Sequence, residues 1–233
     1  MTTSLKTLLA AGAILAASSV SFAQHKKEMA LSPFSKIDIG WAYQVELKKS
    51  TRNFITVDAS DKEVLERVEI NVNGSTLDLD FDNDFWKLGS NDKAKAVIEY
   101  IAIDEVEISG AANVSANETI KSNSFTVEVS GAGKGDFTIS CEKLSVDISG
   151  AGKLNLTGDA VNQSVHLSGA GNYYGDKLIS QNVEVHTSGA GSAKVHAAQS
   201  IEAHASGAGS ISYSGNPTRS DVESSGAGSI RKN

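Results

Sequence analysis

Three histidines, His166, His186 and His204, stand 20 and 18 residues apart, each two positions ahead of a serine that opens the word Ser-Gly-Ala-Gly. At the other copies of that word the same position is acidic: Glu107, Glu128, Asp147 and Glu223. Two positions further upstream stand Glu105, Glu184, Glu202 and Asp221. Three chemistries are open to such a column. Imidazoles in register could hold a metal ion, with His196 in the same repeat as His186. Acids at a fixed spacing could hydrolyse glycosidic bonds, which takes two carboxyl groups ~5–9 Å apart. Imidazoles beside Glu184 and Glu202 could form pairs that strengthen in mild acid. Stacking at ~4.8 Å sets adjacent rings farther apart than one zinc ion usually requires, and no fixed carboxylate completes a ligand set. The acids meet the hydrolase distance only as any ladder would. His166, His186 and His204 are therefore the candidate metal ligands, but a solvated polar ladder is the expected state, with no metal, no cofactor and no catalytic residue assigned.

The repeat positions these residues. Ser-Gly-Ala-Gly begins at Ser130, Ser149, Ser168, Ser188, Ser206 and Ser225, and a variant, Ser-Gly-Ala-Ala, at Ser109, giving steps of 21, 19, 19, 20, 18 and 19 residues. So regular a period means one unit stacked on itself. Three residues ahead of each serine stand Val106, Val127, Val146, Val165, Val185, Ala203 and Val222, and one residue ahead Ile108, Val129, Ile148, Leu167, Thr187, Ala205 and Ser224. Apolar columns alternating with polar ones are the period of a half-buried strand. Each repeat reads as two short strands joined across Gly-Ala-Gly, where glycine supplies backbone angles that a Cβ would forbid. A unit of ~19 residues cannot fold alone, but stacked in parallel the units share one interior. An all-β protein is predicted: a right-handed parallel β-helix, or solenoid, of ~19-residue rungs. A propeller blade needs about 40 residues and a leucine-rich repeat its leucine–asparagine ladder, and neither is present.

Upstream of the repeats, segments 36–39, 43–47, 54–58, 68–72, 77–81 and 96–103 also alternate, Asn73-Gly74 signals a tight turn, 61–67 reads as a short helix and 82–93 as a loop. Residues 24–233 are predicted to form one domain, irregular over 24–104 and regular over 105–233. Residues 1–23 read as a secretory signal peptide, with Lys6, an apolar run from Leu8 to Ala17 and the cleavage site Ser21-Phe22-Ala23. The protein is thus expected outside the inner membrane, in the periplasm, at the cell surface or secreted, with no membrane span in the mature chain.

Composition narrows the partners. A net charge of −7, with 21 Lys and Arg against 28 Asp and Glu, argues against a nucleic-acid backbone as ligand. The single cysteine, Cys141, has no partner within the chain and reads as an inert thiol. Tyr173, Tyr174 and Trp86, with Trp41 and Tyr43, are candidate stacking surfaces for a polysaccharide or an envelope or cell-surface protein, but Tyr173 falls in an inward column and plain packing in the core or cap is the expected state. An open edge at the last rung makes a homo-oligomer a further expectation.

The stretch Phe34-Ser-Lys-Ile-Asp-Ile-Gly-Trp-Ala-Tyr-Gln-Val-Glu-Leu47, the stretch Val68-Glu-Ile-Asn-Val-Asn-Gly-Ser-Thr-Leu-Asp-Leu79 and the Ser-Gly-Ala-Gly ladder together resemble the putative auto-transporter adhesin, head-GIN-domain family. The resemblance covers about residues 30–230. It implies an exported right-handed β-helix and brings no catalytic residues with it. The family's Gly-Ile-Asn reads Gly40-Trp41-Ala42 here. The expected function is non-enzymatic: adhesin-like, or binding and structural in the cell envelope. The alternative is a polysaccharide lyase or hydrolase, but such enzymes wall a groove with long loops, and rungs of 18 to 21 residues have no room for them.

Overall fold

The computed structural model describes residues 25–40, 44–82 and 94–233. The leader, the 82–93 loop beyond Asp82, and the aromatics Trp41, Tyr43 and Trp86 lie outside the described residues. Among the described residues the first part of the chain runs β1 (His25–Ala30), β2 (Lys36–Ile39), β3 (Gln44–Lys49), β4 (Phe54–Ala59), α1 (Lys62–Glu66), β5 (Val68–Asn73), β6 (Thr76–Phe81) and β7 (Ala94–Tyr100). The repeats supply β8 (Glu105–Ile108), β9 (Asn113–Ala116), β10 (Ile120–Val129), β11 (Lys134–Ile148), β12 (Lys153–Leu167), β13 (Asn172–Thr187), β14 (Ser192–Ala205), β15 (Ser210–Ser214), β16 (Arg219–Ser224) and β17 (Ser229–Lys232). All seventeen of these strands belong to one hydrogen-bonded sheet wound into a β-solenoid.

From β8 onward every pairing is parallel, and the serine word sets the register: Val127 lies over Val106, Val146 over Val127, Val165 over Val146 and Val185 over Val165. These valines are fully buried, each worth roughly 1.5–3 kcal/mol of apolar transfer. Where two short strands per repeat are predicted, each full rung is one continuous strand of 14 to 16 residues in β11 to β14. The alternation slips by one at a second corner, where Glu142 and Lys143 are both exposed between buried Cys141 and Leu144.

At the last two words, Gly207 and Gly226 have φ of +78° and +75°, the left-handed angles predicted, but at the earlier words the reason is different. At Gly131, Gly150, Gly169 and Gly189 the backbone is not left-handed. Instead a Cβ on Gly150 would run into the carbonyl oxygen of Gly131 on the rung below, and the same holds along that column. The following alanine uses this close approach: Ala151 N–H donates to Gly131 O at 3.0 Å, and Ala170 N–H to Gly150 O at 3.0 Å. The corner is thus a backbone-on-backbone stack that only glycine permits.

The first part of the chain is woven into this stack. β2 pairs in parallel with both β8 and β6, and β3 with both β9 and β7. The remaining strands are antiparallel: β5 with β6, β4 with β7, and β1 with β4. The hairpin between β5 and β6 turns at Gly74 and Ser75, one residue later than predicted. Gly74 has φ +61° while Ser75 is not left-handed, the pattern of a II′ turn with glycine first. The predicted helix is present, capped by Asp61 Oδ1 accepting from Val64 N–H at 2.8 Å.

Candidate functional site

One strand position per rung builds a polar column nine residues long. The predicted column two residues ahead of each serine is in register from Glu107 to Glu223, and it extends beyond the repeats: Asp38 of β2 stacks on Glu107, and Asp78 of β6 on Asp38. It reads Asp78, Asp38, Glu107, Glu128, Asp147, His166, His186, His204 and Glu223. The two acids added by β2 and β6 escaped the sequence reading because neither strand is followed by the serine word and β6 joins out of chain order.

At the acidic end, crowding acts on the carboxyls. Burial pushes Asp38 above the ordinary carboxylate range; a hydrogen bond from Ser109 Oγ at 3.3 Å opposes this, and the charges of Asp78 and Asp80 add to it. Burial likewise raises Glu107, followed by the charges of Asp38, Glu128 and Glu105. At the other end the imidazoles stack. The rings of His166 and His186 lie 5.1 Å apart at 12°, and those of His186 and His204 4.9 Å apart at 11°. Ring nitrogens in planes this nearly parallel point alongside one another and do not converge on one ion. They turn instead to the adjacent column: His186 Nε2 lies 2.9 Å from Glu184 Oε1, His204 Nε2 3.2 Å from Glu202 Oε1, and His166 Nε2 3.3 Å from Ser164 Oγ. His204 Nδ1 is also 3.6 Å from Glu223. Among the described residues no group of three or more His, Cys, Asp or Glu is placed to hold a metal ion. His196, the predicted companion, lies apart from the ladder, with Nδ1 3.0 Å from Ser214 Oγ.

Two grooves flank this ridge. The smaller, about 380 Å³, lies between the histidines and the serines of the corner, Ser149, Ser168, Ser188 and Ser206. The larger, about 690 Å³, follows the second corner across five strands. One wall is the register column Lys143, Asn162, Asn182, Ser200 and Arg219; the other is Ser164, Glu184, Glu202 and Asp221. The first wall is itself a hydrogen-bonded ladder: Asn182 Nδ2 donates to Asn162 Oδ1 at 3.0 Å and Ser200 Oγ to Asn182 Oδ1 at 2.8 Å. Nothing in the sequence reading singled out this wall, although Asn162 and Asn182 sit at the same offset from their serines.

The aromatic candidates separate. Tyr173 is not a stacking surface: it is fully buried, and its hydroxyl accepts from Gln163 Nε2 at 2.6 Å while Ser180 Oγ donates to Gln163 Oε1 at 2.7 Å. Strand parity decides this, since Tyr173 stacks on Leu154 in the inward column and burial raises its hydroxyl well above the usual range. Tyr174 points outward but is covered by cations, with Lys153 Nζ 4.8 Å and Lys194 Nζ 5.4 Å from its ring centre. Cys141 is buried, its thiol pushed up to about 11 by desolvation, which keeps it unreactive.

A family model described as "Putative auto-transporter adhesin, head GIN domain" matches residues 33–217, nearly the span of the described solenoid. The chain belongs to this family. Head-GIN-domain character is thus settled even though the Gly-Ile-Asn signature reads Gly40-Trp41-Ala42. Solved structures agree on the fold. A putative adhesin from Bacteroides fragilis superimposes with a TM-score of 0.83 at 24% identity, covering 90% of this chain and 97% of that one. A putative adhesin from Parabacteroides merdae gives 0.66 at 20% identity, covering 90% and 96%. A putative lipid binding protein from Parabacteroides distasonis gives 0.67 at 18% identity, covering 89% and 96%. At these identities the likeness is one of fold alone. No curated protein matches the chain. No helix among the described residues is long and apolar enough to cross a membrane.

Proposed function

We propose that this head-GIN-domain protein is exported and acts without catalysis, as an adhesin-type solenoid that holds a surface macromolecule against its outward face. One observation carries the reading. From β8 to β16 the outward columns that approach the serine word keep hydrogen-bonded register, giving a long, open face of repeated polar groups. The register shifts of β12 to β14 fall elsewhere on the rung, at Asn155/Thr157, Gly175/Ile179 and Ser180/Asn182. Such a face offers many weak, equivalent contacts, which suits avidity against a repetitive partner. It also lacks the enclosure that would exclude water from a reacting centre.

The competing reading, a polysaccharide-active lyase or hydrolase, draws on the raised carboxyl of Glu107, which a general acid would need. Here burial comes first in that shift and the charges of Asp38, Glu128 and Glu105 add to it, and no loop among the described residues encloses it. Incubating the purified protein with envelope polysaccharides and envelope protein fractions, and scoring both retention and new chain ends, separates the two. Retention without new chain ends is expected. Release of oligosaccharides, abolished by Glu107→Gln, overturns the reading in favour of the enzyme.

A further inference from the structure

We propose that the larger axial groove is a binding site for an unbranched, uncharged polysaccharide lying parallel to the solenoid axis. The inference rests on the binding reading above and names the ligand class for that face. Four rung steps of ~4.8 Å make the groove roughly 19 Å long, a length suited to a chain segment more than to a single small molecule.

Its two walls differ in hydrogen-bonding sense. The asparagine ladder uses its amide oxygens internally, so Asn162 keeps both N–H donors and Asn182 one for a ligand. On the facing wall Glu184 and Glu202 each commit Oε1 to a histidine, leaving the second oxygen as an acceptor. Donors on one side and acceptors on the other, repeated rung by rung, match sugar hydroxyls, each of which donates and accepts. Leu144, Val183 and Ile201 line the floor, but their side chains are buried in the core, so the two polar walls carry the contacts to a ligand. Gln163 also lines the floor, but its amide is committed to Tyr173 and Ser180.

Charge selects a neutral chain. A polyanion would lie against Glu184, Glu202 and Asp221, and a polycation would meet Lys143 and Arg219 on the opposite wall. The groove has no aromatic platform, so single-site affinity is weak and useful binding comes from many rungs or many copies.

Affinity electrophoresis of the intact protein in gels containing dextran, mannan, linear β-glucan, polygalacturonate or chitosan tests this. At least one neutral polymer is expected to retard the protein and the two charged ones are not. Asn182→Leu should weaken that retardation roughly five- to tenfold, the loss of one or two hydrogen bonds. Asn182→Asp, of the same shape, gives the same comparison should the leucine variant fold poorly, with thermal melts reported for each. Tyr174→Ala, away from the groove, should change nothing. Retardation only by a charged polymer, by no neutral polymer, or equally in the Asn182 variants overturns the groove assignment. Loss on Tyr174→Ala instead, or retention of an envelope protein in the preceding assay, overturns the groove and leaves the adhesin reading intact; no retention of any fraction overturns both.

Discussion

The Ser-Gly-Ala-Gly corner and the outward column lie two residues apart on every rung, yet they obey opposite rules. At the corner, identity repeats because rung sits on rung through bare backbone: Ala151 N–H reaches Gly131 O at 3.0 Å, and a side chain on Gly150 would occupy that space. In the column the same stacking spacing carries five acids, then three imidazoles, then Glu223, and the column stays in register throughout. The scaffold is specified where backbones touch and left open where side chains meet water. A binding surface can therefore diversify on this fold at small cost in stability.

Breaking the corner gives the largest expected effect. Gly150→Ala forces the two rungs apart and should cost about 3 kcal/mol or more, as for severe overpacking of a rigid site. His186→Ala, three residues ahead of the corner glycine two rungs on, should stay within about 0.5 kcal/mol. Thermal melts of the two variants side by side check this. Equal losses would mean that the imidazole stack, with its 4.9 and 5.1 Å spacings, is itself part of what holds the rungs together.

A polar group inside the coil extends the comparison inward. Gln163 occupies an inward position that holds Phe125, Leu144, Val183 and Ile201 on neighbouring rungs. Gln163→Leu would restore the apolar column but strand the Tyr173 and Ser180 hydroxyls, and a loss of about 2 kcal/mol is expected. Adding Tyr173→Phe and Ser180→Ala should recover most of it. Failure to recover would show that the network fixes rung register beyond satisfying its own hydrogen bonds.

The legible part of this molecule was the part governed by repetition. The serine period located the rungs, and alternation correctly placed Val106 through Val185 inside and the histidine column outside. Four things were hidden, each for a physical reason. Alternation puts Tyr173 inward, but that its outward neighbour Tyr174 lies between two lysines depends on the rungs on either side. β1 was missed because its half-buried positions are His25, Lys27 and Met29, which give no apolar period. The second corner carries no glycine word; it is a slip in alternation at Glu142 and Lys143, so the groove built on it was invisible. The parallel entry of β2 and β6 is a long-range pairing, and no local pattern encodes which rung a strand will cover.

The smallest effect expected comes from the acidic end of the column, where tolerance can be told from preference. Asp38 and Glu107 are held above the ordinary carboxylate range by burial first and neighbouring acids second. A carboxyl whose folded value is raised binds its proton more tightly in the folded chain. Its contribution is fully present below the unfolded value, about 4, and is lost as pH rises through the folded one. Glu107→Gln should therefore stabilise the protein at pH 7 by only ~0.5 kcal/mol, because solvent screens a partly exposed group, and the gain should vanish as the pH falls toward 4. Glu99 provides the opposite sign. Arg52 donates to both its oxygens at 2.9 and 3.0 Å and Ser50 Oγ adds a third bond at 2.8 Å, holding it down at about 2. Its contribution is present above the ordinary value and disappears as pH falls through that window. Glu99→Gln should accordingly destabilise at pH 7 and lose its effect near pH 2. Melts of both variants from pH 7 down to 3 should show the Glu107→Gln difference closing from above and the Glu99→Gln difference narrowing from below. A Glu107→Gln variant less stable than the parent at pH 7 would mean that the acid ladder is favoured by its surroundings, and that the outward column is as constrained as the corner beside it.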